Sequence, residues 1–178
     1  MDLFQAARKG GEAVFLRLFD EHHLPLFRFA YRMTGSVADA EDVVQECFLE
    51  LLRPGCSFDP QRSGLRTYLY GVVRNQVLKR RRKNAAGDGS GPEWRAEGSP
   101  ESQVLRTEME DVVSRAVMQL PDAQREVLIL AHYEQMPLAE IGRVMGIEVG
   151  AVKSRLQRAR AQLKEMLAAY APGEGRKS

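Results

Sequence analysis

Cationic and amide side chains recur near the C-terminal end of the chain at helical spacing. The apolar residues between them repeat every three to four positions, as an amphipathic helix requires: Val152, Leu156, Ala159, Leu163 and Leu167. The polar residues on the remaining faces include Lys153, Ser154, Arg155, Gln157 and Arg158. Arg and Gln can each form two hydrogen bonds to a purine edge, and Lys and Arg neutralise phosphate. These residues are therefore candidates for reading duplex DNA, with a solvated amphipathic helix as the alternative.

A shorter apolar helix and a sharp turn come immediately before this cationic helix. Pro137 suits a first helical position, because the N–H that proline lacks would have no partner there. Gly146 ends the helix. The apolar residues between them share one face: Leu138, Ile141, Val144 and Met145. A helix, a turn and a second, cationic helix form a helix-turn-helix, which places its second helix in the major groove.

A second cationic segment lies in the middle of the chain. Residues 61–83 contain eight basic and no acidic side chains. The sequence LRTYLYGVVRNQVLKRRRK predicts a helix whose inward residues are Leu65, Tyr68, Leu69, Val72, Val73 and Val77. Cations bind phosphate and aromatic rings stack on unpaired bases, so this helix has the composition of a single-strand binding surface. We expect Tyr68 to lie in the core and Tyr70 to be the exposed ring.

The segment VADAEDVVQECFLELLR predicts an amphipathic helix with one acidic face. Ser36 is a candidate N-cap, and Asp39 stands where a capping box prefers an acid. The apolar stripe consists of Val37, Ala40, Val43, Val44, Cys47, Phe48, Leu51 and Leu52. Two carboxylates of the opposite face could act as a general acid and base, but the sequence offers no histidine, metal ligand or Gly-rich loop beside them. The face is therefore either solvated or a docking surface for a basic partner.

Charge alternates in sign along the chain, although the formal net charge is only +2. Residues 1–60 carry −4, residues 61–83 carry +8, residues 84–104 carry −3, residues 105–148 carry −4 and residues 149–178 carry +5. Two cationic surfaces are thus separated by acidic protein. This alternation suits a molecule that touches a polyanion at two places and something else in between.

Cysteine and histidine usage argues against a metal centre. Cys47 and Cys56 are nine positions apart without a CxxC motif, and His22 and His23 are adjacent without further ligands nearby. We expect no cofactor and a reduced, cytoplasmic setting. No apolar run approaches the roughly 20 residues that span a bilayer, and the N-terminal sequence lacks a signal-peptide core, so we expect no membrane insertion.

Two small all-α domains are predicted, because each periodic segment has helical spacing. The first comprises residues 1–83 and the second residues 104–171. Residues 84–103 are rich in Gly, Ser, Pro, Ala and acids without periodicity and predict a flexible linker. Residues 172–178 predict a frayed tail, and we expect no additional C-terminal regulatory domain.

The first domain begins with one or two helices between Ala13 and Met33. We expect a break in them at residues 22–25, where two histidines precede a proline, and an end at Gly35. In the second domain, Pro121 is expected to open a further helix that continues through VLILA.

Three segments in this order resemble the extracytoplasmic-function branch of the bacterial sigma factors, the subunits that direct RNA polymerase to promoters. The segments are AYRMTGSVADAEDVVQECFLEL, RTYLYGVVRNQVLKRRR and LPDAQREVLILAHYEQMPLAEIGRVMGIEVGAVKSRLQRARAQL. The resemblance covers nearly the whole chain and implies a binding protein, not an enzyme. Tyr68 stands where this family commonly has Trp, and Ala151 where it usually has Thr. Glu148, at the edge of the cationic helix, would repel a nearby phosphate.

The resemblance also implies a role for three sets of residues. The acidic helix would hold the clamp helices of the largest polymerase subunit through Asp39, Asp42, Gln45, Glu46 and Phe48. The central cationic helix and its preceding loop would bind the −10 element through Arg62, Ser63, Arg66, Thr67, Tyr70, Arg74 and Asn75. The −35 element would be read by Lys153, Ser154, Arg155, Gln157 and Arg158. The implied partners are core RNA polymerase and promoter DNA, with an anti-sigma factor as a further candidate.

A stand-alone DNA-binding regulator with an N-terminal interaction domain is the competing hypothesis. It accounts for the helix-turn-helix. It does not explain why an acidic helix and a cationic helix without acidic residues occur together in the first domain. A nucleic-acid enzyme, the third class, would need a catalytic constellation that the sequence lacks.

Overall fold

The structure, a computed structural model, describes residues 11–87 and 108–170. The regular elements in these ranges are helices, so the all-α prediction is confirmed there. The N-terminal group consists of α1 (Glu12–Thr34), α2 (Val37–Leu52) and α3 (Leu65–Ala85). The C-terminal group consists of α4 (Glu108–Gln119), α5 (Asp122–Leu128), a π-helical turn (Ile129–Tyr133), α6 (Leu138–Met145), α7 (Val149–Leu167) and a short 3-10 turn (Ala168–Tyr170). Most of the predicted linker and the whole predicted tail lie outside the described residues.

Helix α1 is continuous, so the predicted break at residues 22–25 is wrong. Pro25 lies inside the helix. A proline there removes one backbone hydrogen bond, but five side chains of α1 are buried on one face and favour an unbroken helix: Leu18, Leu26, Phe29, Ala30 and Met33. The predicted end at Gly35 is confirmed, because Gly35 takes φ = 72° and its N–H donates to the Tyr31 carbonyl at 2.7 Å.

Helix α2 starts at the predicted cap. The Asp39 N–H donates to Ser36 Oγ at 3.2 Å, which satisfies one of the free N–H groups of the first turn. The helix then packs on α1 and α3, and its buried side chains form the centre of the N-terminal core. These side chains are Ala40, Val43, Val44, Cys47, Phe48 and Leu51.

The segment between α5 and α6 departs from the predicted regular helix. Helix α5 follows Pro121 as expected, but the chain widens into the π-helical turn and Gln135 then takes φ = 52°. π-helical turns are rare and occur often at functional sites. Here the turn brings Tyr133 and Glu134 against α1 and α3, where Tyr133 lies under the Arg32 guanidinium at 4.1 Å. Gly146 ends α6 with φ = 66°, as predicted.

The two groups of helices pack against each other. Helix α3 lies on α6, and α1 lies on α5 and the π-helical turn. Arg125 of α5 is 4% exposed and donates hydrogen bonds to the carbonyl oxygens of Val117 (3.2 Å), Leu120 (3.0 Å) and, in the N-terminal group, Met33 (3.2 Å). Burial lowers the pKa of Arg125 to about 10, so it stays charged at neutral pH. Within the described ranges no helix is long and apolar enough to cross a membrane.

Gly142 of α6 permits the close turn into α7. A Cβ at this position would lie 2.8 Å from the carbonyl oxygen of Ile147, whose N–H donates to the Gly142 carbonyl at 3.0 Å. We expect Gly142→Ala to lower the free energy of unfolding by about 1–3 kcal/mol, measured by urea denaturation, because a backbone atom must move. Gly71→Ala in α3 is the matched control: its Cβ meets nothing within 4 Å, and helix propensity should raise stability by about 0.5–1 kcal/mol. Equal effects of the two substitutions would contradict this explanation.

Candidate nucleic-acid interfaces and docking face

The outer face of α7 carries four of the five residues predicted to read duplex DNA. Val152, Leu156 and Ala159 are buried and fix the rotation of the helix. This rotation leaves Lys153, Ser154, Gln157 and Arg158 exposed. We call these four residues the α7 face.

Arg155 does not belong to the α7 face. It is half-buried and close enough to Glu126 of α5 for its charge to oppose part of the rise that burial causes in the pKa of that carboxyl. Its position one helical turn from the buried residues Val152 and Ala159 explains why it points toward the protein. The spacing of cations in the sequence did not distinguish it from its neighbours.

The loop before α3 is shaped by Asp59. The Gln61 N–H donates to Asp59 Oδ1 at 2.9 Å, and the Arg62 and Ser63 N–H groups donate to the Asp59 carbonyl at 3.0 and 3.3 Å. These turns lead the chain into α3 and leave Arg62 exposed. Ser63 is half-buried beside the start of the helix.

A cleft of about 410 Å³ lies between this loop, α3 and α6. Three of the residues predicted to bind the −10 element line it, namely Ser63, Thr67 and Asn75. Hydroxyl and amide groups of this kind can hydrogen-bond the edge of an unpaired base. Arg143 of α6 borders the cleft from the C-terminal group. We call this site the α3 cleft.

Tyr68 packs against the core, as predicted, and its accessible side lines the α3 cleft. Its side chain is half-buried, its ring lies 5.1 Å from the Phe58 ring, and its hydroxyl lies 3.4 Å from Cys56 Sγ and 3.3 Å from Ser57 Oγ. Burial, followed by the hydrogen bond with Cys56, raises the pKa of Tyr68 to about 12, so the phenol is neutral. An aromatic wall beside hydroxyl and amide groups suits a stacked base.

The predicted exposure of Tyr70 is wrong. Tyr70 is 1% exposed, its ring lies 5.2 Å from the Phe29 ring, and its hydroxyl donates to the Glu134 carboxylate. Burial and then Glu134 raise the pKa of Tyr70 far above its ordinary value. The side chain lies off the apolar stripe of α3, as the sequence indicates, but the C-terminal helices cover that second face. No local sequence signal reports such a contact.

The other cationic residues of α3 meet the same C-terminal helices. Arg66 Nη2 donates to the Glu134 carbonyl at 2.6 Å, and Arg74 Nε pairs with the carboxylate of Glu126. The predicted −10 set is therefore divided between two surfaces of α3. Asn75 remains exposed.

Helix α2 presents the predicted acidic face to solvent. Asp42 and Gln45 are exposed, and Asp39 and Glu46 are half-buried. Arg80 of α3 lies 3.4 Å from both Asp39 and Asp42. Pairs that are this exposed contribute little to stability, so the face stays available to a partner.

Phe48 does not lie on this face, so its predicted position on the docking surface is wrong. It is 3% exposed and packs against the rings of Phe15 and Phe19, with centroids 6.2 and 4.8 Å away. Leu49 occupies the exposed position instead, with 58% of its surface accessible. Leu52, predicted to be inward, is 42% exposed. The spacing in the sequence could have identified Leu49. It stands seven residues after Asp42 and therefore lies on the same side of the helix as Asp42.

The described ranges contain no candidate metal centre, and the buried Cys47 is not a reactive thiol. No group of three or more His, Cys, Asp and Glu side chains there is arranged to hold a metal ion. Cys47 is buried, and burial raises the pKa of its thiol to about 12, which makes it a poor nucleophile.

Two family models match the chain, one for each group of helices. Residues 18–87 match Sigma-70 region 2, and residues 110–163 match Sigma-70, region 4. Two similar relatives are the ECF RNA polymerase sigma factors SigW of Bacillus subtilis and SigL of Mycobacterium tuberculosis. SigW is 31% identical, with 90% of this chain and 92% of SigW covered. SigL is 37% identical, with 82% of this chain and 84% of SigL covered.

Solved structures give the same result. The sigma factor RpoE from Bartonella quintana, in complex with the anti-sigma factor NepR, superposes with a TM-score of 0.73 at 26% identity. The match covers 86% of this chain and 96% of RpoE, so it includes both groups of helices. CnrH, in complex with the cytosolic domain of CnrY, superposes with a TM-score of 0.71 at 25% identity, with 94% and 96% covered.

Proposed function

The chain belongs to the ECF branch of the sigma-70 family, the subunits that direct RNA polymerase to promoters, and we propose how its surfaces divide that work. It is not an enzyme. It supplies the binding energy with which the polymerase finds and opens a promoter. The observation that carries the proposal is the presence of an acidic docking face, a cleft for an unpaired base and an exposed base-reading helix in one chain.

The acidic face of α2 is proposed to bind the clamp helices of the largest polymerase subunit. Asp42, Gln45 and Glu46 supply charge and hydrogen-bond acceptors, and Leu49 supplies an apolar anchor among them. An exposed apolar side chain within a charged rim is the usual composition of a protein interface. Phe48 supports the face from the core.

The α3 cleft is proposed to capture an unpaired base of the non-template strand in the −10 element. Tyr68 offers a ring for stacking, and Ser63 and Asn75 offer hydrogen bonds to the edge of the base. Arg62 supplies charge for a neighbouring phosphate, and Arg66 and Arg74 could do so only away from Glu134 and Glu126. Contacts to a flipped base offset its unstacking, which costs a few kcal/mol.

The α7 face is proposed to read the −35 element as duplex in the major groove. Gln157 and Arg158 can each form two hydrogen bonds to a purine. Arg160 and Lys164 are also exposed but lie further along the helix, where they would meet phosphate. Arg155 would not contact a base directly, because it lies near Glu126 on the side of α7 that faces the protein.

We further propose residues 1–83 as the −10 domain, residues 84–103 as a linker and residues 104–171 as the −35 domain. The setting is proposed to be the cytoplasm, where RNA polymerase works. One structural relative was solved in complex with the anti-sigma factor NepR and another in complex with the cytosolic domain of CnrY, which makes an anti-sigma factor a candidate partner. A stand-alone regulator remains testable, because it would bind duplex DNA specifically without polymerase.

Charge reversal tests the docking face. Asp42→Arg with Glu46→Arg should abolish co-purification with core polymerase but leave the melting temperature nearly unchanged, because exposed charges contribute little to stability. Glu12→Arg with Asp20→Arg, two exposed carboxylates of α1, is a control with the same change of charge. Retained assembly in the α2 variant would disprove the docking role.

A pre-melted template tests strand capture. Ser63→Ala with Asn75→Ala should impair open-complex formation on duplex promoters and recover largely on a template with a −10 bubble, measured by permanganate footprinting. Gln61→Ala, an exposed residue of the same loop, is the control. If duplex and bubble templates suffer equally, these residues do not act in strand capture.

A randomised −35 library separates base reading from charge on α7. In holoenzyme binding at two salt concentrations, Arg158→Ala should relax selectivity at one or two positions, since a bidentate contact is worth about 1–3 kcal/mol of discrimination. Lys164→Ala should weaken all sequences alike and lower the salt slope by about one unit. An unchanged base preference in Arg158→Ala would show that a different face of α7 enters the groove.

A further inference from the structure

A carboxylate of α2 and an amide of α3 contact each other in the wall of the α3 cleft. Gln76 donates a hydrogen bond from Nε2 to Glu50 Oε2 at 3.4 Å. Both side chains are half-buried, and both line the cleft. Neither residue belongs to the predicted −10 set, and strand capture by Ser63 and Asn75 gives them no role. We call this contact the Glu50–Gln76 pair.

The carboxylate of Glu50 determines which end of the Gln76 amide is free to bind a ligand. A glutamine amide carries a donor NH2 group and an acceptor oxygen, and a half-turn about its last bond exchanges them. A carboxylate only accepts hydrogen bonds, so it holds the NH2 group and repels the oxygen. Within the described ranges Gln76 makes no second side-chain hydrogen bond that would favour the opposite orientation. The oxygen of Gln76 is therefore the group left for a ligand.

The pair gives this part of the cleft the character of a hydrogen-bond acceptor. Gln76 Oε1 and the second oxygen of Glu50 both accept, and neither can donate. The cations that line the cleft are Lys79 and Arg143. Both are exposed, so they are placed for phosphate at the rim and not for the edge of an enclosed base.

Unpaired bases differ in what they offer to such acceptors. Adenine, cytosine and guanine each carry an exocyclic amino group that donates hydrogen bonds. Thymine has no amino group, and two carbonyl oxygens flank its single ring N–H. Carbonyl oxygens placed against the acceptors of the Glu50–Gln76 pair would lose their hydrogen bonds to water without replacement.

We propose that the Glu50–Gln76 pair makes the α3 cleft select a base with an exocyclic amino group and reject thymine. Gln76 contacts the base, and Glu50 is a positioning residue that acts through the orientation of Gln76. The other groups of the cleft do not discriminate in this way. Tyr68 can stack on any base, and Ser63 and Asn75 each carry both a donor and an acceptor. The inference rests on the proposed function of the cleft, because it names the kind of base that the cleft takes.

Selection from randomised strands tests the inference with the full chain in holoenzyme. The probes are bubble templates whose non-template strand is random over the −10 segment, and bound templates are sequenced. The wild type should deplete thymine about tenfold at one position, relative to the three bases with an amino group. Glu50→Gln should reduce this depletion to below about threefold, because the Gln76 amide can then take either orientation. Gln76→Ala should have the same effect, because the acceptor is removed.

Two controls separate base selection from a general change in binding. Glu12→Gln removes an exposed carboxylate of α1 by the same chemical change and should leave the depletion of thymine intact. In the second control, purine replaces adenine at the selected position and removes only the amino group. This replacement should weaken binding by wild-type holoenzyme about tenfold and binding by the Glu50→Gln holoenzyme much less. A merely structural effect of Glu50→Gln would weaken adenine and purine templates alike.

Either of two results would overturn the inference. One is a wild-type selection in which no position is depleted in thymine, and the other is a depletion that persists in both Glu50→Gln and Gln76→Ala. Ser63→Ala with Asn75→Ala distinguishes this failure from failure of the proposed function. If that variant alone changes the selection, strand capture at the cleft stands and the role of the Glu50–Gln76 pair is refuted. If none of the cleft variants changes the selection, strand capture at the cleft is refuted as well.

Discussion

The pairing of Glu126 with Arg74 is the interaction on which the arrangement of this protein depends. A buried carboxylate must have a partner, and burial raises the pKa of Glu126 even though Arg74 opposes the shift. Arg125, its neighbour in sequence, ties the same helix to the end of α1 through the Met33 carbonyl. These two adjacent charged residues thus join the C-terminal helices to both α1 and α3. While Arg74 is paired with Glu126, its guanidinium is not available to bind a phosphate.

The three proposed surfaces differ in their access to solvent. The acidic face of α2 and the α7 face are exposed while the domains are together, whereas Tyr70, Arg66 and Arg74 are engaged. The proposed docking and −35 contacts are therefore accessible in this arrangement, whereas part of the predicted −10 set is not.

Features that depend on residues close in sequence could be predicted, whereas contacts between segments distant in sequence could not. Ser36, Gly35 and Gly146 act on the chain within a few residues of themselves, so their caps and turns followed from sequence. The predicted break at Pro25 was wrong because the free-energy cost of a proline inside the helix is smaller than the gain from burying the apolar face of α1. The predictions for Tyr70 and Arg155 were wrong for a different reason. Each residue lies off the apolar stripe of its own helix. Tyr70 is covered by helices distant in sequence, and Arg155 is directed toward one. Phe48 and Leu49 are neighbours in sequence, yet Phe48 lies in the core and Leu49 on the proposed docking face, so an error of one position in the helix reverses the prediction.

Run-off transcription with purified core polymerase on a library of genomic fragments tests the central claim most directly. The account predicts transcripts from discrete start sites that share upstream −35 and −10 sequences, no such products from core polymerase alone, and no specific duplex complex formed by this protein without polymerase. A specific complex with duplex DNA in the absence of polymerase, together with no new start sites in its presence, would contradict the account and identify a stand-alone regulator.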